Sequence, residues 1–171
     1  MVACDCMARV PVDTNTIVHA YNHGVLKNEV FFSEEDKWRF VRTLRYKNHP
    51  ASIKNWHNDV RSEVDGKTMP WPDDWPKEDP LVHIHGYTLM DNHYHLILQE
   101  AQEGGLARFM QKLANSYVEY IRRKYERDEQ LFSGSYERKI VSSDDYLQML
   151  FVYVLVKNPF ERFSGGIESA Q

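Results

Sequence analysis

Two segments of strand-like sequence meet at Asp91-Asn92, and this feature constrains the fold more than any other. Residues 81–90 precede the dipeptide and residues 93–99 follow it, and both are rich in β-branched, aromatic and aliphatic side chains. Asp and Asn tolerate left-handed backbone and hydrogen-bond their own chain, so the dipeptide favours a turn. The middle of the chain is therefore predicted to form an antiparallel hairpin.

Further elements are predicted before this hairpin. Residues 16–23 are β-branched and aromatic and end at Gly24, which predicts another strand. Ser33, with Asp36 three residues later, resembles a capping box in which Asp replaces the usual Glu. The apolar spacing behind it predicts a helix that ends near Lys47.

The clearest helix is predicted after Gly104-Gly105. Its apolar residues recur at spacings of three and four, which places them on one stripe. They are Leu106, Phe109, Met110, Leu113, Ala114, Tyr117, Val118 and Ile121. A last helix starts near Ser142 or Ser143 and stops before Asn158-Pro159. Separate helices combined with a central hairpin predict an α+β fold with an antiparallel sheet.

The length of 171 residues suits one compact domain. We expect residues 1–15 to be a poorly ordered leader, residues 16–160 the domain, and residues 161–171 a tail. Residues 51–80 combine prolines, tryptophans and acidic side chains, which predicts an extended insertion rather than a core element.

The sequence shows neither a bilayer-spanning apolar run nor a signal-peptide pattern. Its only cysteines, Cys4 and Cys6, lie two residues apart near the chain end, which argues against a structural disulfide. These features predict a cytoplasmic protein without membrane contact.

The charge distribution limits how the protein could bind nucleic acid. A net charge of −4 argues against a large duplex-binding surface, which normally has a basic excess. Basic residues nevertheless cluster on the polar face of the long helix and could follow a DNA backbone, although a solvated charged face is the default interpretation. They are Arg108, Lys112, Arg122, Arg123 and Lys124.

The sharpest chemical motif is His93-Tyr94-His95. Successive side chains on a strand point to opposite faces, so the two histidines share a face that we expect to be exposed, with Tyr94 in the core. Two imidazoles so placed can ligate one metal ion through neutral ring nitrogens. The alternative is a pair of solvent-facing histidines without a ligand.

Five ordered blocks of the sequence resemble the single-tyrosine HUH transposases, in particular their REP-associated branch. The family signature apolar-Met-x-Asn-His-x-His-apolar is matched by residues 89–96. The other matching blocks are Asn22-His23-Gly24, where His23 replaces an arginine, Val30-Phe31-Phe32 with the acidic residues after it, residues 131–139, and Asp145-Tyr146-Leu147 with Asn158-Pro159.

This resemblance implies a ferredoxin-like (RRM-like) antiparallel sheet with helices packed against it. It also implies cleavage and rejoining of single-stranded or hairpin DNA through a covalent 5′-phosphotyrosine. A divalent metal, Mg²⁺ or Mn²⁺, on His93 and His95 would polarise the scissile phosphate and assist the poorly nucleophilic phenol. A homodimer is a possible assembly.

The tyrosine nucleophile is predicted at Tyr136. It follows the loop Ser133-Gly134-Ser135 and precedes Arg138 and Lys139, which could hold phosphate. The other tyrosines considered lie on predicted helices, where core packing is the simpler role; they are Tyr117, Tyr120, Tyr125, Tyr146 and Tyr153.

The third metal ligand stays open. In the related insertion-sequence transposases a polar residue four positions after the tyrosine completes the site, but Ile140 occupies that position here. Glu137, Glu100 or water would have to replace it. Two other functions also stay open: a catalytically inactive, domesticated DNA-hairpin-binding protein, and a metal-dependent hydrolase with water as its nucleophile.

Overall fold

A four-stranded antiparallel sheet forms the centre of the protein. The computed structural model describes residues 11–53, 56 and 69–157. The strand order across the sheet is β2-β3-β1-β4. The strands are β1 (Ile17–His23), β2 (Val82–Met90), β3 (His93–Glu100) and β4 (Glu137–Ile140). The predicted hairpin is confirmed, since β2 and β3 pair around Asp91-Asn92.

Among the described residues, three longer helices complete the fold, in a βαββαβ order followed by the third helix. They are α1 (Glu34–Tyr46), α2 (Gly105–Tyr125) and α3 (Asp144–Val152), and α3 continues into a π-helical turn, Tyr153–Lys157. The strand order and this connectivity are those of a ferredoxin-like fold, so the predicted α+β class is confirmed. None of the described helices is long and apolar enough to cross a membrane.

The main core lies between one face of the sheet and the helices α1 and α2. Val18 and Ala20 of β1 point into it, as do Tyr94, Leu96 and Leu98 of β3. The predicted stripe of α2 supplies the opposite wall: Leu106, Phe109, Met110, Leu113, Tyr117 and Ile121 are buried. Because alternate residues of a strand face opposite ways, the intervening residues of β1 and β3 lie on the other face of the sheet.

Helix α1 begins where its sequence predicts. The Ser33 hydroxyl accepts a hydrogen bond from the Asp36 backbone N–H at 3.3 Å. In return, the Asp36 carboxylate accepts from the Phe32 N–H at 3.0 Å, one residue earlier than in a standard capping box. The predicted cap is thus confirmed, except that the Asp36 carboxylate accepts from the backbone N–H of Phe32 instead of that of Ser33.

The predicted insertion needs one correction. Its described part from residue 69 to 80 contains no helix or strand, but Ile53 and Trp56 are buried against Tyr46 in a second aromatic cluster. The rings of Trp71 and Trp75 pack against that cluster. Large aromatic rings bury enough apolar area to form a small core even in a proline-rich segment. Much of the insertion lies outside the described residues, as do residues 1–10 of the leader and the whole tail.

Candidate functional site

The second face of the sheet carries the histidine pair. His93 and His95 both point to this face, and their rings lie 5.0 Å apart and nearly perpendicular. We call this surface the histidine face. The expectation that both histidines are exposed is wrong for His95, which is only 8% exposed. The π-helical turn after α3 brings the Tyr153 ring against it, and α3 packs on the same face beside Ile97.

Each of the two imidazoles has a defined partner at Nδ1. The His93 Nδ1 lies 2.6 Å from the Asn92 side-chain oxygen. The His95 Nδ1 lies 2.8 Å from Nε2 of His19, a residue of β1. An amide oxygen can only accept, so His93 carries a proton on Nδ1, and in the neutral ring the lone pair is on Nε2. That is the nitrogen a metal ion would bind.

The two buried histidines of this face, His19 and His95, are held neutral. Burial, reinforced by the nearby His19 and His93, lowers the pKa of His95 to about 3. Burial and the positive charge of Lys139 lower the pKa of His19 to about 4. Since a histidine ligates a metal only through an unprotonated nitrogen, the neutral His95 suits a metal site at physiological pH.

The two predicted third ligands occupy different places. Glu137 lies on the histidine face, two strands from His95, and its carboxylate accepts a hydrogen bond from the Tyr21 hydroxyl at 2.7 Å. Glu100 faces the main core and is 1% exposed, and its carboxylate accepts from the Leu106 N–H at 2.8 Å. The structure therefore brings Glu137, but not Glu100, to the side of the histidines.

Within residues 11–53, 56 and 69–157, no group of three or more His, Cys, Asp or Glu side chains is placed to hold a metal ion. The donor set supplied by the chain is a pair of imidazoles. Nitrogen ligands of this kind suit a borderline divalent ion, and the open positions of such a site remain for oxygen ligands.

Tyr136 does not meet the histidines in this structure. Its neighbour Glu137 pairs with Tyr21 on the histidine face, so Tyr136 points to the opposite face. There its ring packs against the main core, and its hydroxyl oxygen is buried. The sequence could not reveal this, because a residue next to a loop gives no alternation from which to read its face.

Two other tyrosines border the histidine pair. The Tyr153 ring lies edge-on to His95 with centroids 5.7 Å apart, and the residue is 37% exposed. The Tyr21 ring lies 5.6 Å from His95. The hydrogen bond from its hydroxyl to Glu137, with burial and the negative charge of that carboxylate, raises the pKa of Tyr21.

Tyr153 lies on a predicted helix, for which core packing is the simpler role, but the helical period separates it from the apolar stripe of that helix. Leu147, Leu150 and Val154 recur at spacings of three and four and pack on the sheet. Tyr153 falls beside this stripe, where a large aromatic residue is not explained by the core.

The predicted basic face of α2 lies on the other side of the sheet from the histidines. Its side chains are engaged locally. Three of them form ion pairs: Arg122 with Asp128, Arg123 with Glu119, and Lys124 with Glu35 and Asp36. Lys112 donates hydrogen bonds to the carbonyls of His49, Pro50 and Ala51. Arg108 donates to the Gln102 side chain and the Glu103 carbonyl. The structure does not bring these five cations to the histidine pair.

The predicted pair of cations on β4 is divided between the two faces. Lys139 stands opposite His19 on the histidine face. Arg138 stands opposite Ala20, on the face of the main core. Of the cations predicted to bind DNA, Lys139 is the one that shares a face with His93 and His95.

Comparison with known proteins points to one family. Residues 77–156 match the model of a family described as IS200-like transposase. The matched segment contains β2 to α3 and therefore both histidines, Tyr136 and Tyr153. No match is found among curated proteins.

A solved structure has the same fold. It is a REP-associated tyrosine transposase bound to a REP hairpin, and it aligns with a TM-score of 0.53 at 9% sequence identity. The alignment covers 90% of this chain and 72% of that chain. At this identity the likeness concerns the fold alone.

Proposed function

We propose that this chain, whose residues 77–156 match the model of the IS200-like transposase family, cuts and rejoins single-stranded DNA through a covalent tyrosine–phosphate intermediate. One observation carries the proposal: two imidazoles and a tyrosine, His93, His95 and Tyr153, meet on one face of a rigid sheet. A tyrosine beside two imidazoles that could hold a metal ion suits phosphoryl transfer from DNA to protein, because the metal would assist a weak nucleophile.

The proposed substrate is single-stranded or hairpin DNA. The solved structure with the same fold holds a REP hairpin, which makes a hairpin the first DNA to test. The net charge of −4 is a poor match for a uniform duplex, whose affinity grows with the number of phosphates neutralised. Lys139 lies on the histidine face, and we expect it to contact the DNA backbone near the reacting phosphate.

The proposed nucleophile is the Tyr153 hydroxyl. Its oxygen gives up its proton to solvent and forms a bond to phosphorus, while the bond from phosphorus to the 3′ oxygen breaks. The protein then carries a 5′-phosphotyrosine, and the released 3′ oxygen takes up a proton. Attack by a 3′-hydroxyl reverses these steps and joins the DNA. No nucleotide cofactor is needed, because the phosphotyrosine linkage retains the energy of the broken phosphodiester bond.

Tyr153 is preferred to the other two tyrosines for physical reasons. The Tyr21 phenol donates to the Glu137 carboxylate, which disfavours the phenolate. Tyr136, the choice from sequence, has its hydroxyl buried on the core face and would have to cross the plane of the sheet. Arg138, two residues after Tyr136, also lies on the face of the main core.

The metal proposed for this site is Mg²⁺ or Mn²⁺, bound by Nε2 of His93 and by His95. When bound, it would polarise the phosphate oxygens and stabilise the negative charge that develops during transfer. The chain's own contribution is to hold both rings in place through the contacts at Nδ1 and, by burial, to keep His95 neutral. Glu137, water or the DNA itself would supply the remaining ligands.

The test is adduct formation with end-labelled hairpin DNA and Mn²⁺. A 5′-phosphotyrosine keeps the label of 3′-labelled DNA on the protein through denaturation, while 5′-labelled DNA is released with a free 3′-hydroxyl. His93→Ala and His95→Ala should abolish the adduct. His83→Ala, an exposed histidine on β2, is the matched control and should leave it unchanged.

Other outcomes identify the alternative functions. Cleaved DNA without any adduct would indicate a metal-dependent hydrolase that uses water. Tight hairpin binding without cleavage in Mg²⁺ or Mn²⁺ would indicate a domesticated DNA-binding protein. Either result would overturn the proposed phosphotyrosine chemistry and would leave the match of residues 77–156 to the family model unaffected.

A further inference from the structure

His19 is a buried histidine that the proposed chemistry does not use directly. It lies on β1, 6% exposed, and its Nε2 is 2.8 Å from Nδ1 of His95. The two rings are stacked, with centroids 5.0 Å apart and planes 25° from parallel. Tyr21 contacts the His19 ring as well, at 5.0 Å. The position and plane of His19 are therefore fixed by its neighbours.

A hydrogen bond between two neutral imidazoles holds one proton, which can sit on either ring. If His19 donates, Nδ1 of His95 is the acceptor and its proton is on Nε2, the nitrogen that would face a metal. If His95 donates, its Nε2 keeps a lone pair. Only the second arrangement makes His95 a metal ligand through Nε2.

We infer that His19 is a positioning residue: its Nε2 accepts the proton of His95 Nδ1 and so holds His95 in the tautomer and ring plane that ligate the metal. This inference rests on the proposed metal site of His93 and His95. Ligating histidines in proteins almost always donate their second ring N–H to a neighbouring acceptor, and here a third histidine provides that acceptor.

The other ligand of the pair is held in the same way. His93 Nδ1 lies 2.6 Å from the Asn92 amide oxygen. The amide nitrogen of Asn92 donates to the Lys27 carbonyl at 3.3 Å, which orients its oxygen toward His93. In this arrangement both rings have an acceptor at Nδ1, which leaves Nε2 of each ring as the nitrogen that could bind a metal ion. Asn92 is part of the sequence motif, whereas His19 comes from a different strand.

The inference is tested first by the protonation state of His95 in the metal-free protein. Long-range ¹H–¹⁵N spectra of histidine-labelled protein distinguish a protonated from an unprotonated ring nitrogen. We expect a proton on Nδ1 of His95 and none on Nε2. A proton on Nε2 of His95 would overturn the inference, whatever the activity of the protein.

The second test is Mn²⁺ affinity, measured by calorimetry on the full chain. His19→Phe keeps a buried ring but removes the acceptor, and the affinity should fall by about 10- to 100-fold, the usual effect of losing such a partner. His19→Gln places an amide oxygen near the former Nε2 and should restore most of the affinity. His83→Phe is the control and should bind like the parent protein.

The outcomes separate this inference from the proposed function. If the parent protein fails to bind Mn²⁺, the proposed metal site is wrong and His19 has no ligand to position. If the parent binds but His19→Phe binds equally well, the metal site stands and the positioning role is refuted. If His19→Phe does not fold, the spectra of the parent and the affinity of His19→Gln decide, because a packing role alone predicts no particular tautomer.

Discussion

Asp36 is a buried carboxylate that joins the first turn of α1 to the C-terminal half of α2. It is 0% exposed. Its oxygens accept from Lys124 at 2.8 Å, Tyr120 at 2.9 Å, Tyr125 at 2.7 Å and the Phe32 N–H at 3.0 Å. Replacement by asparagine keeps the shape but removes the charge, and its amide nitrogen cannot accept the bonds that one carboxylate oxygen now receives.

The cost of Asp36→Asn follows from these contacts. Removing one partner of a buried ion pair costs about 3–5 kcal/mol, because the other charge is left without compensation. The Lys124 side chain is 26% exposed and also pairs with Glu35, so part of that cost is recovered. We therefore expect the free energy of unfolding to fall by about 2–4 kcal/mol.

The effect of Asp36 also depends on pH. Burial alone would raise the pKa of Asp36, but the hydrogen bonds from Lys124, Tyr125 and Tyr120 outweigh it and hold the pKa below its ordinary value. The unfolded chain therefore takes up this proton at a higher pH than the folded protein does. The stabilisation is fully present above the unfolded pKa and is lost as the pH falls through the folded pKa.

Urea denaturation followed by circular dichroism measures this prediction. With an m-value of about 2 kcal/mol/M, the midpoint should fall by about 1–2 M at pH 7, and the difference between the proteins should narrow below about pH 4. Glu34→Gln, in the same helical turn, removes an exposed pair with Lys37 and should cost less than about 1 kcal/mol. A loss below about 1 kcal/mol for Asp36→Asn would refute the reasoning.

Three further predictions concern packing, the third ligand and DNA contact. Gly105→Ala should destabilise the protein by more than about 2 kcal/mol in urea, because its Cβ would lie 2.2 Å from the Leu81 carbonyl oxygen, whereas Gly134→Ala meets nothing within 4 Å and should be near neutral. Glu100→Gln should lower the thermal midpoint, because its carboxylate accepts from the N-terminus of α2, but should leave Mn²⁺ affinity in calorimetry unchanged. Lys139→Ala should weaken hairpin-DNA binding and reduce its salt dependence by about one counterion in titrations at several salt concentrations, whereas Arg123→Ala should not.

The fold was predictable because its signals are local. The alternation around Asp91-Asn92 gives the hairpin, and the stripe from Leu106 to Ile121 gives α2, with both elements found where they were expected. The cap of α1 was predictable for the same reason, since Ser33 and Asp36 lie within one turn. Each of these patterns repeats within a few residues and needs no knowledge of distant contacts.

The candidate site was less predictable because it depends on strand register. The sequence placed His93 and His95 on one face, but nothing in it pairs Tyr21 with His95 or brings His19 to its ring. The burial of His95 depends on α3 and the turn after it, which fold back over the sheet. Contacts between distant segments are set by tertiary packing, which local periodicity does not report.

The choice of tyrosine shows the same limit. Tyr136 was favoured by a glycine-containing loop and by the cations after it, but β4 turns its hydroxyl toward the main core. Arg138 also lies on the face of the main core, whereas Lys139, the other cation of β4, lies on the histidine face. A position next to a loop does not by itself indicate exposure, because the register of the short edge strand β4 decides which face the side chain occupies.

The most direct test of the central claim is to identify the residue that carries the DNA. The protein is trapped on 3′-labelled hairpin DNA with Mn²⁺, digested with nuclease and protease, and analysed by mass spectrometry. We predict a nucleotide on Tyr153, and loss of the adduct in Tyr153→Phe with hairpin binding retained, since phenylalanine keeps the ring that packs on His95. A nucleotide on Tyr136 or Tyr21, or an adduct that persists in Tyr153→Phe, would contradict the account.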